Sequence, residues 1–510
     1  MNNNSPKLFN HPDDCLPRIY TRKLRPEVAF IDALTHGVEC QSESTWTLAF
    51  DKSKTRLQAC SNNYRISNQT INGFDAINNS TFTPADPSTF PIVKISRSII
   101  THIRFPSSAT AIIVEAVNAK TDFSSERCLR TLIEYDGNSQ AIIVLNHFAH
   151  FIKEKEECLC ISVNTEDSEC TPNGIRFSCG DISYLAYNYK PILQKPRTFF
   201  VIESEAPIKY EKFCSEVRKI LSMVGFITGT FPYGPFFVFT AEETSNVLNS
   251  FVAYNDCVVK PCHSTYAVHS LNPYNYYANE DLKPNIGNVL EKELTPITRS
   301  HVETLLRQLD DSSFRMVFYT LIEVSASTHP LTYTSRLVLY AACLEMCANW
   351  AKKMSNESKP RSMYLSDGDR TRLIETFTNE IGGLEIEDKN TITIIQNRIQ
   401  HSLFQISNAD KLKNPFLLFN VELSEEDKRC LKLRDSILHG NDPTHTPFEL
   451  KDSDKYISDC DRLCFNFYSL LWRVIMSSVG YRGCFRDVAA INGMFRQSLS
   501  NNGQPLIRHV

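Results

Sequence analysis

The chain reads as a multidomain α+β protein, with a β-rich N-terminal domain followed by an all-α C-terminal domain. Three observations carry this expectation. At 510 residues the chain is longer than one hydrophobic core usually serves. From about residue 15 to 285, short β-branched and aromatic runs alternate with clusters of Asn, Asp, Ser, Gly and Pro. Beyond about residue 297 the apolar residues recur every three or four positions, the period of an amphipathic helix. The expected division is 1–290 and 297–510, with residues 281–297 (DLKPNIGNVLEKELTPI) as the connector.

In the first part, Ile112 to Val117, Ala141 to Leu145, Phe199 to Ile202 and Phe236 to Phe239 have strand composition. The polar stretch from Ser61 to Phe90 reads as loops or hairpin ends. A helix interrupts this part. Pro207 suits its first turn, Tyr210, Phe213, Val217, Ile220 and Val224 form one apolar stripe, and Gly225 is a stop signal.

In the second part, Ser300 and Glu303 have capping-box spacing, and Val302, Leu305, Leu306 and Leu309 make a face behind them. Helical runs follow at about 312–326, 333–354, 369–381, 390–406, 424–439 and 454–479. Breaks fall at Thr328-His329-Pro330, Pro360, Gly382-Gly383 and Gly440. The last run, with Leu463, Phe467, Leu470, Leu471 and Val474, is more apolar than one buried face requires and suits a core or a dimer interface.

Composition narrows the function classes. A net charge of −4 argues against a protein that tracks a long nucleic-acid backbone or an anionic membrane. No run of 18 apolar residues appears, and MNNNSPKLFNHPDD lacks the pattern of a signal peptide, so a cytoplasmic location without membrane attachment is expected. The 17 cysteines have no repeating spacing and read as reduced thiols. No P-loop, Cys-x-x-Cys or dinucleotide fingerprint is present, so neither a cofactor nor a metal is expected.

The stretch from Ser424 to Asn441 carries the candidate chemistry. Ser424 is a good N-cap, and Glu425, Glu426 and Asp427 suit the positive end of a helix. Cys430, Leu433 and Ile437 form its buried stripe, and Gly440 ends it just after His439. An imidazole can move a proton to or from a ribose 2′-hydroxyl or a leaving oxygen. The guanidinium of Arg434 can grip phosphate oxygens as negative charge builds, and Asp435 can orient either group or a water. With the 2′-hydroxyl as nucleophile no metal is needed, and the product is a 2′,3′-cyclic phosphate. Arg434 and His439 stand about 140° apart on an ideal helix. A shared site therefore needs either unwinding near His439 or a second copy of the segment. The spacing alone is weak, because Arg97 and His102 repeat it in strand-like sequence.

With Arg434, the polar Asp435, three further residues and His439, the segment resembles the motif of the HEPN superfamily. Leu433 to Gly440 looks like the ApeA-like branch found in bacterial anti-phage proteins, and Ser335 to Glu345 is similar to the long early helix of that branch. The resemblance covers about 297–480, and 1–290 is similar in position and length to the ApeA N-terminal domain. It implies a HEPN-type helical bundle and a homodimer or higher homo-oligomer in which two motif helices build one ribonuclease site. Arg434, His439 and Asp435 would be the catalytic residues, RNA (often tRNA) the substrate, and growth arrest of infected cells under a phage-derived trigger the outcome. Family members often have Asn at the Asp435 position. The alternative is a non-catalytic HEPN binding or dimerisation module with a ligand-sensing N-terminal domain.

Other polar residues have plainer readings. Glu345 and Glu323 sit in apolar helices and read as structural acids, Glu345 as a buried partner of an arginine. Arg398 and His401 read as helix surface. Cys257, Cys262 and His263 lack a familiar zinc spacing, and Cys158 and Cys160 share one face of a strand. Tyr274, Tyr276 and Tyr277 suit turn packing or base stacking.

Overall fold

The computed structural model describes residues 18–21, 24–35, 39–42, 47–51, 56–61, 81–84, 91–104, 111–120, 125–135, 158–162, 174–189, 198–228, 235–241, 250–256, 297–325, 332–354, 366–383, 389–404, 408–440, 453–486 and 507–509. Helices and mainly antiparallel strands are both present, nearly all of the strands before residue 257 and nearly all of the helices after 297.

One sheet joins β1 (Arg18–Thr21), β2 (Glu39–Ser42), β3 (Thr47–Asp51), β4 (Arg56–Ser61), β5 (Thr81–Pro84), β6 (Val93–Arg104), β7 (Ala111–Lys120), β8 (Leu129–Tyr135), β9 (Cys158–Ser162), β10 (Gly174–Cys179), β11 (Ile182–Tyr189), β12 (Thr198–Ser204), β13 (Pro235–Thr240) and β14 (Phe251–Asp256). Its order is β1-β9-β10-β11-β12-β8-β13-β14-β7-β4-β3-β2-β5-β6. Strand β6 also pairs with β7, so the last six strands close into a ring, which removes exposed edges. The other eight form an open sheet attached through β14 and β7. Strands β1 and β9 run parallel.

Three of the four expected strands lie in β7, β12 and β13, and Ala141 to Leu145 lies outside the described residues. Within the stretch read as loops, Ser61 ends β4 and Thr81–Pro84 is β5. Of the connector, only Ile297 is described.

The open sheet is covered on both faces. On one, α1 (Arg25–Thr35) sets Phe30 at 5.9 Å from Phe239 and 5.1 Å from Phe251. The sequence period did not mark this helix. On the other, Ile133, Phe177, Phe200, Ile202, Phe236 and Val238 share a core with α2 (Tyr210–Thr228). The stripe Tyr210, Phe213, Val217, Ile220 and Val224 is buried there as expected. Pro207 and Gly225 are corrections. The helix starts three residues after Pro207 and passes through Gly225 to Thr228. The reason is that Phe226 and Ile227 are buried and continue the apolar surface.

The second part contains α3 (Arg299–Gln308), α4 (Ser312–Ser325), α5 (Tyr333–Met354), α6 (Asp367–Gly382), α7 (Lys389–Phe404), α8 (Asn408–Leu418), α9 (Glu425–Leu438) and α10 (Ser453–Ser478). Helix α8 is absent from the sequence reading because Pro415 stands inside it. Burial of Leu412 and Phe416 holds it despite the missing donor. The expected Ser300 cap is also corrected. Thr298 is the N-cap of α3, and its backbone N–H donates to Nδ1 of His301 at 3.0 Å. Glu303 instead accepts from Arg299 and from the backbone of Ser178 in β10, both at 2.7 Å. The helical part also carries a small antiparallel pair, β15 (Cys484–Arg486) with β16 (Ile507–His509).

One hydrophobic core runs through both parts. Phe226 of α2 lies 5.1 Å from Phe318 of α4 and 6.3 Å from Trp472 of α10. Lys219 of α2 pairs with Asp310 at the edge of this contact.

Beneath α1, the guanidinium of Arg130 is shared by Glu27 at 2.9 Å and Glu203 at 3.2 Å, all three buried. Oε2 of Glu27 is buried and receives no hydrogen bond. Burial pushes the Glu27 carboxyl above its ordinary value, against the pull of Arg130. The folded chain therefore binds this proton more tightly than the unfolded chain does. The associated stability is present at low pH and is lost as pH rises from about 4.5 through the raised value. In Glu27→Gln the side chain is neutral throughout. Its urea midpoint should fall less than that of the wild type between about pH 5 and about pH 8. Equal pH slopes for the two proteins would contradict the assignment.

Candidate functional site

Helix α9 is fixed at its N-terminal end. The hydroxyl of Ser424 accepts from the backbone N–H of Asp427 at 3.2 Å, and the Asp427 carboxylate accepts from the backbone N–H of Ser424 at 2.8 Å. This is a reciprocal capping box with Asp in place of Glu. The same carboxylate pairs at 2.9 Å with Arg473 of α10, both side chains at most 6% exposed. Arg473 also donates to the carbonyl of Glu422 and lies 5.1 Å from the Phe485 ring. Just before this, the chain leaves α8 through Asn420 in a left-handed conformation, and Val421 N–H donates back to the Phe416 carbonyl at 2.8 Å.

The stripe expected on α9 is present. Cys430 and Ile437 are buried, Leu433 packs against the core at its margin, and Leu431 joins them. Burial pushes the Cys430 thiol up to about 12, which leaves it an inert core group. At the other end, Gly440 has φ of +75° and donates to the Ile437 carbonyl at 3.1 Å. A left-handed residue is cheap there only for glycine, and it turns the chain out of the helix directly after His439.

The candidate residues fall on different sides of this helix. His439 is exposed in the turn after Leu438. Arg434 is buried and forms an ion pair with Glu345 of α5, the kind of partner expected for that acid. Asp435 lies in α9, and its side chain is outside the description. The structure thus brings Arg434 and Glu345 together, with Arg434 buried and His439 exposed beyond the end of the helix. Glu345 has the expected arginine partner but is not buried, its side chain being 39% exposed, because it lies at the solvent-facing margin of α5, and Glu323 is exposed on α4. Arg398 is exposed on α7, which also carries His401. Arg97 and His102, the competing match, lie in β6 as their composition indicates.

Cys257, Cys262, His263, Tyr274, Tyr276 and Tyr277 lie outside the described residues. Among the described residues, no three His, Cys, Asp or Glu side chains gather as a metal site. No described helix is long and apolar enough to cross a membrane.

The sequence reading missed Arg473 and the second role of Asp427. A signal was available, because Arg473 interrupts Leu470-Leu471-Trp472 and Val474-Ile475-Met476, and a charge inside such a run must be paired. Asp427→Ala removes both the cap and the partner of a buried guanidinium. It should cost about 3–5 kcal/mol in urea unfolding. Glu426→Ala breaks surface contacts, the pairs with Arg462 at 2.8 Å and Arg429 at 3.8 Å and a 3.5 Å hydrogen bond from Asn466. It should cost under about 1 kcal/mol. Similar losses from both would refute the assigned role of Asp427.

No protein family, curated protein or solved structure matches the chain.

Proposed function

We propose that this protein is a metal-independent endoribonuclease of the HEPN type that cleaves tRNA or another structured RNA as a homodimer. The observation that carries the proposal is an exposed imidazole at the free end of a helix whose other end is locked. His439 stands where a substrate can reach it, on a rigid support with Arg434 in the same helix. His439 acts as general acid or base, Arg434 stabilises the phosphate in the transition state, and Asp435 assists. Residues five apart on an ideal helix stand about 140° apart, so the site is assembled from two facing copies of α9. The setting implied by the resemblance, growth arrest of infected cells, belongs to the same proposal.

A second reading has its own support. The pairing of the buried Arg434 with Glu345 is what a structural arginine in a binding or dimerisation module would make. Under that reading Arg434→Ala disrupts the oligomer, and His439→Ala changes nothing in cellular RNA.

His439→Ala should retain the fold, since the side chain is exposed. It should lower RNA cleavage by about 10²–10⁴-fold. Total RNA from cells expressing each protein, with and without phage, provides the test. Fragments ending in 2′,3′-cyclic phosphate should come from the wild type alone. Intact RNA in both, with expression verified, rejects the nuclease.

A further inference from the structure

We infer that His301 is a proton-sensitive latch that fastens the start of α3 to the end of α10 and opens when its ring takes up a proton. The inference is independent of the nuclease reading.

Helix α3 bridges the two parts of the chain. Toward the open sheet, Glu303 accepts from the backbone of Ser178 in β10. Toward α10, Gln308 donates to the Ser478 carbonyl at 3.1 Å and accepts from the Ser478 hydroxyl at 3.0 Å. Those contacts hold the last turn of α3, and His301 holds the first. Its Nδ1 accepts from the backbone N–H of Thr298 at 3.0 Å. Its ring meets Tyr481 edge-on, with centroids 5.8 Å apart and planes at 86°. Gly480, with φ of +91°, brings its backbone against the same ring and offers it a hydrogen bond. Tyr481 in turn packs on Trp472 of α10.

A capping position that Glu or Gln usually fills is thus filled by the side chain that changes charge near neutral pH. Neutral, Nδ1 is an acceptor. Protonated, it becomes a donor aimed at another donor, the Thr298 N–H. The Thr298 hydroxyl, 3.2 Å from Nδ1, can reverse its role, but the backbone N–H cannot. The added cation also stands in the first turn of a helix, where the dipole is positive. Burial lowers the affinity of the ring for a proton, the Gly480 backbone opposes this, and the charge of Arg482 adds to it. Within α3, Arg299 and Glu303 pair with each other at 2.7 Å, and from β10 the contact is the uncharged backbone of Ser178. The closed latch therefore resists the proton, and acid favours the open one. A folded value below the unfolded one means that the stability is complete above about pH 6.5 and is lost as pH falls below it.

The test is hydrogen exchange of the full-length protein, read by mass spectrometry from about pH 7.5 to about pH 5.5 and corrected for the intrinsic pH dependence of exchange. Peptides covering Ile297 to Gln308 should lose protection in acid. His301→Gln keeps a capping acceptor and cannot take up the proton, so its loss over the same range should vanish. Undiminished protection of the wild type in acid overturns the inference, as does an equal loss in both proteins. Should His301→Gln not fold, Arg482→Gln serves, since Arg482 is exposed. Without that charge the closed latch accepts the proton more readily, and the acid loss should become shallower. An unchanged loss in the folded Arg482→Gln variant is also contrary.

Discussion

The architecture depends on one helix whose second half, Ile220 to Ile227, is buried on every side. Helix α2 is buried against the open sheet through Phe213 and Val217, and against the helical part through Phe226. A helix with one apolar stripe needs one partner surface, whereas a helix apolar on two sides needs two. This constraint joins the β-rich and helical parts into a continuous core. Around its margin, Lys219 with Asp310 and Glu303 with the Ser178 backbone add polar contacts between the parts.

The candidate site inherits its position from that core. Helix α10, with Trp472 against α2, carries Arg473, and Arg473 holds Asp427 at the start of α9. A buried ion pair contributes little net stability compared with a well-packed apolar pair, but it is costly to leave half-made. Its effect here is to specify which turn of α9 meets which turn of α10. Fourteen residues of helix then carry that placement to Leu438, and Gly440 releases the chain beyond His439.

Two arginines on neighbouring helices thus have different surroundings. Arg473 is sealed with its partner and has no access to solvent, which suits a structural lock. Arg434 is itself buried but pairs with an acid whose side chain is 39% exposed. The difference is set by where α5 and α10 lie relative to α9, not by residue type.

Much of this was legible before any coordinates. Period-two and period-three-to-four patterns separated the strand-rich and helical parts, because backbone geometry imposes those periods on any buried face. The cap at Ser424, the stripe of α9 and the stop at Gly440 are local chemistry and could be read locally. Other features needed the packed chain. The closing of six strands into a ring depends on β4 meeting β7 and β2 meeting β5, pairings between distant segments that no local pattern encodes. Helix α8 survives Pro415, and α2 continues through Gly225, because burial of Phe416, Phe226 and Ile227 outweighs intrinsic propensity. The pairing of Arg434 with Glu345 spans 89 positions (434 minus 345). The residues were visible in the sequence, but their meeting is a consequence of how α5 and α9 pack.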